Sequence, residues 1–249
     1  MFKKRVPRNT CRIGFLVLLL LAAIFTITAC NAIIRGSGDV ISETRPVSNF
    51  DSIDLSGSGE VIVTQGGSES LSIETDDNVM EYVKAEVEGG TLKLGFKEKV
   101  NLISPSRLVF YVGVDDLTGL AISGSGDFEA EMIETDRLDA SISGSGDVQI
   151  ADLTAGEVKA RISGSGEIDL AGEAAAQDVA ISGSGKYLAG DLCSESVKVS
   201  ISGSGDATVC ATETLDSNIS GSGSVDYYGR PSINSSGSGS GKINNLGEK

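Results

Sequence analysis

The chain has 249 residues, of which 35 are acidic and 20 are basic, and it contains neither histidine nor tryptophan. Without histidine, the chain has no Ser-His-Asp or Cys-His catalytic centre and no histidine ligand for zinc. The formal net charge of −15 disfavours binding to nucleic acids, because their phosphates would be repelled. Composition therefore excludes the most familiar hydrolase sites and predicts no nucleic-acid partner.

The segment 1–29 has the organisation of a bacterial secretory signal. Five basic residues precede an apolar run from Ile13 to Ile27, and this run is shorter than the roughly 20 residues that cross a bilayer as a helix. The run ends in Ile27-Thr28-Ala29-Cys30, which resembles the lipobox of bacterial lipoproteins. The resemblance implies that the Cys30 sulfur receives diacylglycerol and that cleavage leaves Cys30 as the new N-terminus.

We therefore predict a signal peptide at residues 1–29, followed by a lipidated N-terminus and tether at residues 30–46. Several acyl chains on one residue hold a protein on a membrane, because each buried CH₂ contributes roughly 0.8 kcal/mol. Asn31 stands where an aspartate would indicate inner-membrane retention by analogy with other lipoproteins, so the sequence predicts the outer membrane. The alternatives are an uncleaved signal anchor and a soluble secreted protein.

Between Val47 and Gly119 the sequence indicates short strands and one short helix. The segment from Asp76 to Tyr82 is typical of a helix opened by an acidic cap. We expect this section to shield one end of the core of a repeat domain, because terminal repeats must be atypical to stay soluble. The predicted strands are Ser52 to Leu55, Glu60 to Thr64, Ser70 to Thr75, Thr91 to Phe96 and Arg107 to Val114.

The dominant feature is the tetrapeptide Ser-Gly-Ser-Gly, which from Ser123 onward recurs with a period of about 20 residues, a length typical of solenoid repeats. The spacing is nearly constant over the first copies and shortens toward the C-terminus. A period held over so many copies indicates a solenoid, in which each repeat is one coil that buries its apolar face against its neighbours. The copies begin at Ser56, Ser123, Ser143, Ser163, Ser182, Ser202, Ser220 and Ser236.

The residues beside each tetrapeptide argue against a flexible Gly/Ser linker. Leu138, Ala140 and Ile142 alternate with polar residues ahead of one copy, and period-two alternation is the pattern of a strand with one buried face. Each coil is therefore predicted to be a strand, a tight glycine corner, a second strand and a more variable stretch such as Ala151 to Glu157. The domain is predicted to span residues 47–242 and to be followed by a tail at residues 243–249.

Two cysteines, Cys193 and Cys210, lie in the part of the chain that would be exported as a domain. Their separation in the sequence is nearly one coil, so stacking would bring their Cα atoms within the range that a disulfide permits. An oxidising compartment would allow this bond to form. We predict a disulfide, and the alternative is two small buried residues in the core.

An acidic column is expected next to the glycine corners. Asp127, Asp147 and Glu167 each follow a tetrapeptide, so stacking would place three carboxylates on one edge, where they repel one another unless a cation relieves them. A Ca²⁺ site is one interpretation, because Ca²⁺ prefers clustered oxygens. The favoured alternative is a solvated acidic face, since Lys186 interrupts the column. The mature chain, without the five basic residues of the signal, would carry a formal charge of −20.

These features together resemble a known family. The tetrapeptides occur with Asp51 to Gly59 (DSIDLSGSG) and Val83 to Leu92 (VKAEVEGGTL) ahead of the main array, as in the family called putative auto-transporter adhesin, head GIN domain. The resemblance covers about Val47 to Lys242. It implies a right-handed parallel β-helix, which is an all-β fold, in an exported and often lipidated protein of Gram-negative bacteria. It supplies no catalytic residues.

Three classes of function are compatible with this sequence. The favoured one is a non-enzymatic cell-envelope module, adhesin-like or structural, that contacts a surface glycan or an envelope protein and is held on the membrane through Cys30. The second is a glycan-active β-helix enzyme, and the third is a periplasmic assembly or stress factor without its own ligand. The first is favoured because the coils are short and aromatic residues make up only 5% of the chain. The ligand and the oligomeric state stay open.

Overall fold

The computed structural model describes residues 33–97 and 101–249, and it shows a β-solenoid. The predicted signal peptide and Cys30 lie outside these residues. Strands occupy most of the described chain, as the alternating pattern predicts. The section before the regular repeats comprises β1 (Ile33–Arg35), β2 (Val40–Arg45), β3 (Ser52–Gly57), β4 (Glu60–Gln65), β5 (Ser70–Asp76), α1 (Asp77–Met80), β6 (Val83–Glu88), β7 (Thr91–Phe96), β8 (Asn101–Ser104), β9 (Leu108–Val114) and β10 (Gly119–Gly124).

The repeat region that follows begins with five long strands joined by Ser-Gly dipeptides, each paired in parallel with the next, and ends with three shorter strands. Parallel pairing of whole coils is the arrangement that a solenoid requires. These strands are β11 (Asp127–Gly144), β12 (Asp147–Gly164), β13 (Glu167–Gly183), β14 (Lys186–Gly203), β15 (Asp206–Gly221), β16 (Ser224–Tyr228), β17 (Ser232–Gly239) and β18 (Lys242–Gly247).

Each complete coil has three short sides. In β11, exposed pairs at residues 131–132 and 136–137 interrupt the alternation of buried and exposed residues, which divides the coil into residues 127–130, 133–135 and 138–142. We call these stretches and their in-register equivalents the first, second and third sides. The stretch predicted to be variable is therefore a strand, because Ile133 and Leu153 enter the core from the second side.

The Ser-Gly-Ser-Gly corner closes each coil by direct backbone contact with the coil before it. Gly164 has a φ of +132°, and a Cβ atom there would lie 2.2 Å from the Gly144 carbonyl oxygen. The amide of Ser165 donates to that same oxygen at 2.8 Å, and the amide of Ser145 donates to the Gly124 oxygen at 2.8 Å. Glycine is required here both for its positive φ and for the absence of a side chain.

The N-terminal end of the solenoid is closed by antiparallel strands and by α1. Strands β2, β5 and β6 pair antiparallel with their neighbours, while Val79 and Met80 of α1 are buried against the core. This confirms the expectation that the irregular section shields one end.

Asp76 precedes α1 but does not cap it through its side chain, so the predicted acidic cap was wrong. The buried carboxylate instead accepts hydrogen bonds from the amide of Gly38 at 2.7 Å and from the amide and hydroxyl of Ser106 at 2.7 and 2.6 Å. Burial raises the pKa of Asp76, but these hydrogen bonds to the charged form outweigh it and hold the pKa below its ordinary value.

Both predicted boundaries of the domain need correction. The tether at residues 30–46 contains β1 and β2, and β2 pairs with β5 along its whole length. The tail at residues 243–249 contains most of β18, which pairs with β16. Neither segment carries a tetrapeptide of its own, which is why the repeat alone placed them outside the domain.

The second side of β11 has no described strand paired with it on the edge that faces the N-terminal end of the solenoid. The Gln65 carboxamide takes the place of one, since it donates to the Glu134 carbonyl at 2.8 Å and accepts from the Glu134 amide at 2.7 Å. An unpaired strand edge can pair with another chain, and this side chain covers part of that edge.

Candidate binding face

The third sides of five successive coils form a shallow groove of about 530 Å³. Its walls are two parallel columns of outward-facing residues, and buried isoleucines lie between them. One column consists entirely of small side chains, because it is formed by the first serine of each tetrapeptide. We call this the third-side groove, and it is lined by Ser141, Arg161, Ala180, Ser200 and Asn218 in one column, Ser143, Ser163, Ser182, Ser202 and Ser220 in the other, and Ile142, Ile162, Ile181 and Ile201 between them.

A column of alternating charge runs beside the groove. The residues of this column lie two positions before the column that begins with Ser141. They are alternately aspartate and lysine, and they are in parallel register from β11 to β15. With Arg161 on the groove wall, three basic residues balance three acidic ones, so this face is formally neutral on a strongly acidic molecule. The alternating column is Asp139, Lys159, Asp178, Lys198 and Asp216.

A buried polar network lies in the interior behind this face. Gln177 occupies a core position in β13, where its carboxamide donates to the Leu192 carbonyl at 2.9 Å and to the Ser194 hydroxyl at 2.8 Å. The Tyr187 hydroxyl donates to the Gln177 oxygen at 2.9 Å. Burial raises the pKa of Tyr187, so this phenol stays protonated and keeps its hydrogen bond at physiological pH. Buried polar groups that are satisfied in this way help to fix one register.

The predicted acidic column forms on the first side. Asp127, Asp147 and Glu167 are in register on β11, β12 and β13. The amide of Glu167 donates to Asp147 at 3.2 Å, and the Lys186 ammonium lies 3.7 Å from the Glu167 carboxylate. Burial, followed by the negative charge of Asp147, raises the pKa of Asp127. Within residues 33–97 and 101–249 no group of three or more acidic, cysteine or histidine residues is arranged to hold a metal ion, so the geometry lends the Ca²⁺ expectation no support.

Cys193 and Cys210 face each other on β14 and β15. Their sulfurs are joined, and their Cα atoms are 4.5 Å apart. The register between these strands shifts on both sides of the pair, so the bond ties together the two coils at an irregular point of the ladder. Formation of this bond in the exported protein stays a prediction.

Comparison with known proteins identifies the family. The sequence profile of the family described as putative auto-transporter adhesin, head GIN domain, matches residues 49–231. The chain belongs to this family. No curated protein matches the chain.

Solved structures share the fold of this head GIN domain. A putative adhesin from Bacteroides fragilis is 31% identical, with a TM-score of 0.82 over 86% of this chain and 100% of that one. A putative lipid binding protein from Parabacteroides distasonis is 28% identical, with a TM-score of 0.74 over 86% of this chain and 99% of that one. A putative adhesin from Parabacteroides merdae, at 21% identity, has a TM-score of 0.69 over 86% of this chain and 98% of that one, and shows the shared fold alone.

The raised pKa of Asp127 makes a prediction about stability and pH. The folded state binds the Asp127 proton more tightly than the unfolded state does, so ionisation of Asp127 at neutral pH destabilises the domain. We expect Asp127→Asn to raise the melting temperature at pH 7. The gain should shrink as the pH falls, because the folded wild-type carboxyl takes up its proton at a pH above the ordinary pKa of aspartate.

The control for Asp127→Asn is Asp152→Asn, which removes an exposed carboxylate elsewhere on the coil. The same melting experiment tests the Ca²⁺ expectation. A melting temperature that millimolar Ca²⁺ leaves unchanged would rule out a Ca²⁺ site at Asp127, Asp147 and Glu167. If Asp127→Asn and Asp152→Asn shift the melting temperature equally, the effect belongs to overall charge and the assignment to Asp127 fails.

The disulfide predicts a defined loss of stability on reduction. A crosslink that closes a loop of this length contributes about 3 kcal/mol through the entropy of the unfolded chain. We expect the double substitution Cys193→Ser and Cys210→Ser to lower the free energy of unfolding by about that amount. In the wild-type exported protein, mass spectrometry after alkylation should find neither cysteine modified. Two alkylated thiols in the protein taken from the cell envelope would contradict the bond.

Proposed function

We propose that this head GIN domain is a non-enzymatic, adhesin-like binding module of the bacterial cell envelope that holds a neutral glycan in the third-side groove. The observation that carries the proposal is the combination of size, lining and charge in this groove. Its volume of about 530 Å³ lies within the range of ligand sites, which is about 300 to 1,000 Å³. The name of the family and the names of its solved relatives, two putative adhesins and one putative lipid binding protein, support a binding role.

The lining of the groove favours a ligand with many hydroxyl groups. Serine hydroxyls and the Asn218 carboxamide both donate and accept hydrogen bonds, and they recur once per coil along the groove. A polysaccharide presents hydroxyls along its length in a similar way. The alternating column and Arg161 leave this face formally neutral, so it has no net charge that would favour an ionic ligand. The acidic remainder of the chain repels anionic polymers, whereas an uncharged glycan is not repelled.

The same lining argues against glycan hydrolysis in the groove. Glycosidases use a pair of carboxyl groups that flank the scissile bond, and none of the residues that line the third-side groove is acidic. The carboxylates beside the groove, Asp139, Asp178 and Asp216, are two coils apart with a lysine between them, and those of the acidic column lie on the first side of the coil. This distribution supports binding without catalysis, which distinguishes the proposal from a glycan-active enzyme and from an assembly factor that has no ligand.

Attachment to the envelope forms the second part of the proposal. Cys30 would carry the lipid anchor and would hold the domain at the outer membrane. Within the described ranges no helix has both the length and the hydrophobicity to cross a bilayer. The relative from Parabacteroides distasonis is named a putative lipid binding protein, so lipid is the second ligand class to include in a screen.

The groove is tested with two matched substitutions in the full-length protein. Ala180→Tyr places a bulky side chain at an exposed position inside the groove, and Gln149→Tyr places the same side chain at an exposed position on the first side. We expect the wild type and Gln149→Tyr to bind neutral glycans on an array, and Ala180→Tyr to lose roughly tenfold in affinity or more, since a filled site excludes its ligand. Equal binding by all three proteins would refute the groove assignment.

The anchor is tested in cells with the Cys30→Ala variant. Wild-type protein should fractionate with the outer membrane, and Cys30→Ala should leave the membrane fraction. Digestion by protease added to intact cells would place the domain outside, where an adhesin must be reachable. Protection until the envelope is opened would contradict the adhesin role and favour a periplasmic function.

A further inference from the structure

The predicted anchor is separated from the folded domain by very little chain. Ile33, the first residue of β1, is three residues after Cys30. An extended chain spans about 3.3 to 3.6 Å per residue, so the Cα atom of Ile33 lies within roughly 11 Å of the Cα atom of Cys30. The polar zone on each side of a bilayer is itself roughly 5 to 8 Å thick. A lipid on Cys30 would therefore hold β1 against the headgroups.

Strand β1 is in turn fixed to the body of the solenoid. The Ser37 hydroxyl donates to Asp77 at 2.6 Å, and the Ser37 amide donates to the Asn78 side chain at 3.0 Å. The Asn78 side chain donates to the Arg35 carbonyl at 2.9 Å, and β1 itself pairs with β8. These bonds link the anchor to the solenoid without a flexible tether between residues 33 and 45.

The end of the solenoid that would face the membrane carries exposed apolar side chains. Val40 is 45% exposed and Ile41 is 42% exposed at the start of β2. Among the described strands β2 pairs with β5 alone, so it is an edge strand of the sheet at this end. Exposed apolar side chains at the end that the lipid would hold against the headgroups suit a membrane interface.

We infer that the N-terminal end of the solenoid, with Val40 and Ile41 at its edge, rests in the membrane interface, so that the coils project away from the lipid. This inference rests on the proposed lipidation of Cys30. The third side runs in register from β3 to β17 across eight strands, which places its far end roughly 34 Å from its near end at about 4.8 Å per coil. The third-side groove, on β11 to β15, would then be held clear of the headgroups.

Tryptophan fluorescence can test this orientation, because the chain contains no tryptophan. Ile41→Trp places a reporter at the N-terminal end, and Leu246→Trp places one at the opposite end on a residue of similar exposure, 46%. The full-length lipidated variants are reconstituted into phosphatidylethanolamine–phosphatidylglycerol vesicles with and without brominated acyl chains. Val40→Trp serves as a second reporter in case Ile41→Trp perturbs folding.

We expect brominated lipid to quench roughly half of the emission from Trp at position 41 and to leave position 246 unchanged, since an interfacial side chain lies within about 5 to 10 Å of the acyl boundary. Equal quenching at the two positions in protein that floats with the vesicles would overturn the orientation and leave the lipid anchor intact. Flotation of Cys30→Ala to the same extent as wild type would overturn the anchor and the inference together. A blue shift at position 41 without bromine quenching, together with crosslinked dimers, would show that a second copy covers this end and would also overturn the inference.

Discussion

One backbone contact, repeated at every corner, governs this molecule. In each tetrapeptide of the array both glycines lie against the preceding coil, and a Cβ atom on Gly144 or Gly146 would come within 2.2 Å of a carbonyl oxygen. The two serines between and before them point to solvent. The motif therefore alternates because one face of the corner has no room for a side chain and the other is free. Since each corner sets the start of the next strand, it also fixes the parallel register in which like residues stack.

That register turns a weak sequence pattern into continuous surfaces. Residues one coil apart become neighbours, so each outward position of the coil becomes a column with its own chemistry. One column is acidic, one alternates in charge, and one consists of serine, and a single short repeat thereby produces faces that differ in the ligands they tolerate. The two ends of the solenoid differ as well, because antiparallel strands and α1 close the N-terminal end, whereas β17 is exposed along its whole length.

Much of this arrangement could be predicted from the sequence. The spacing of the tetrapeptides predicted the coils, and the alternation around Leu138 and Ile142 identified the buried face. The second side was missed because its buried residues are few and are flanked by exposed pairs, which breaks the period-two pattern. Gln177 and Gln65 were missed for a different reason. Each is a polar residue whose partners, Tyr187 and Glu134, can be recognised only once the register between coils is known. The alternating charges beside the groove also require that register, since a lysine and an aspartate separated by a whole coil carry no local signal.

Alanine substitutions at two glycines, compared by chemical denaturation, test whether close-packed corners hold the solenoid together. Gly164 has a positive φ and no space for a Cβ atom, whereas at Gly67 nothing lies within 4 Å of that position and φ is not in the left-handed region. We expect Gly164→Ala to lower the free energy of unfolding by about 2 kcal/mol or more, through backbone strain and the loss of corner contacts. Gly67→Ala should change the free energy of unfolding by less than about 1 kcal/mol. Equal stability of the two variants would contradict the claim that the glycine corners hold the coils together.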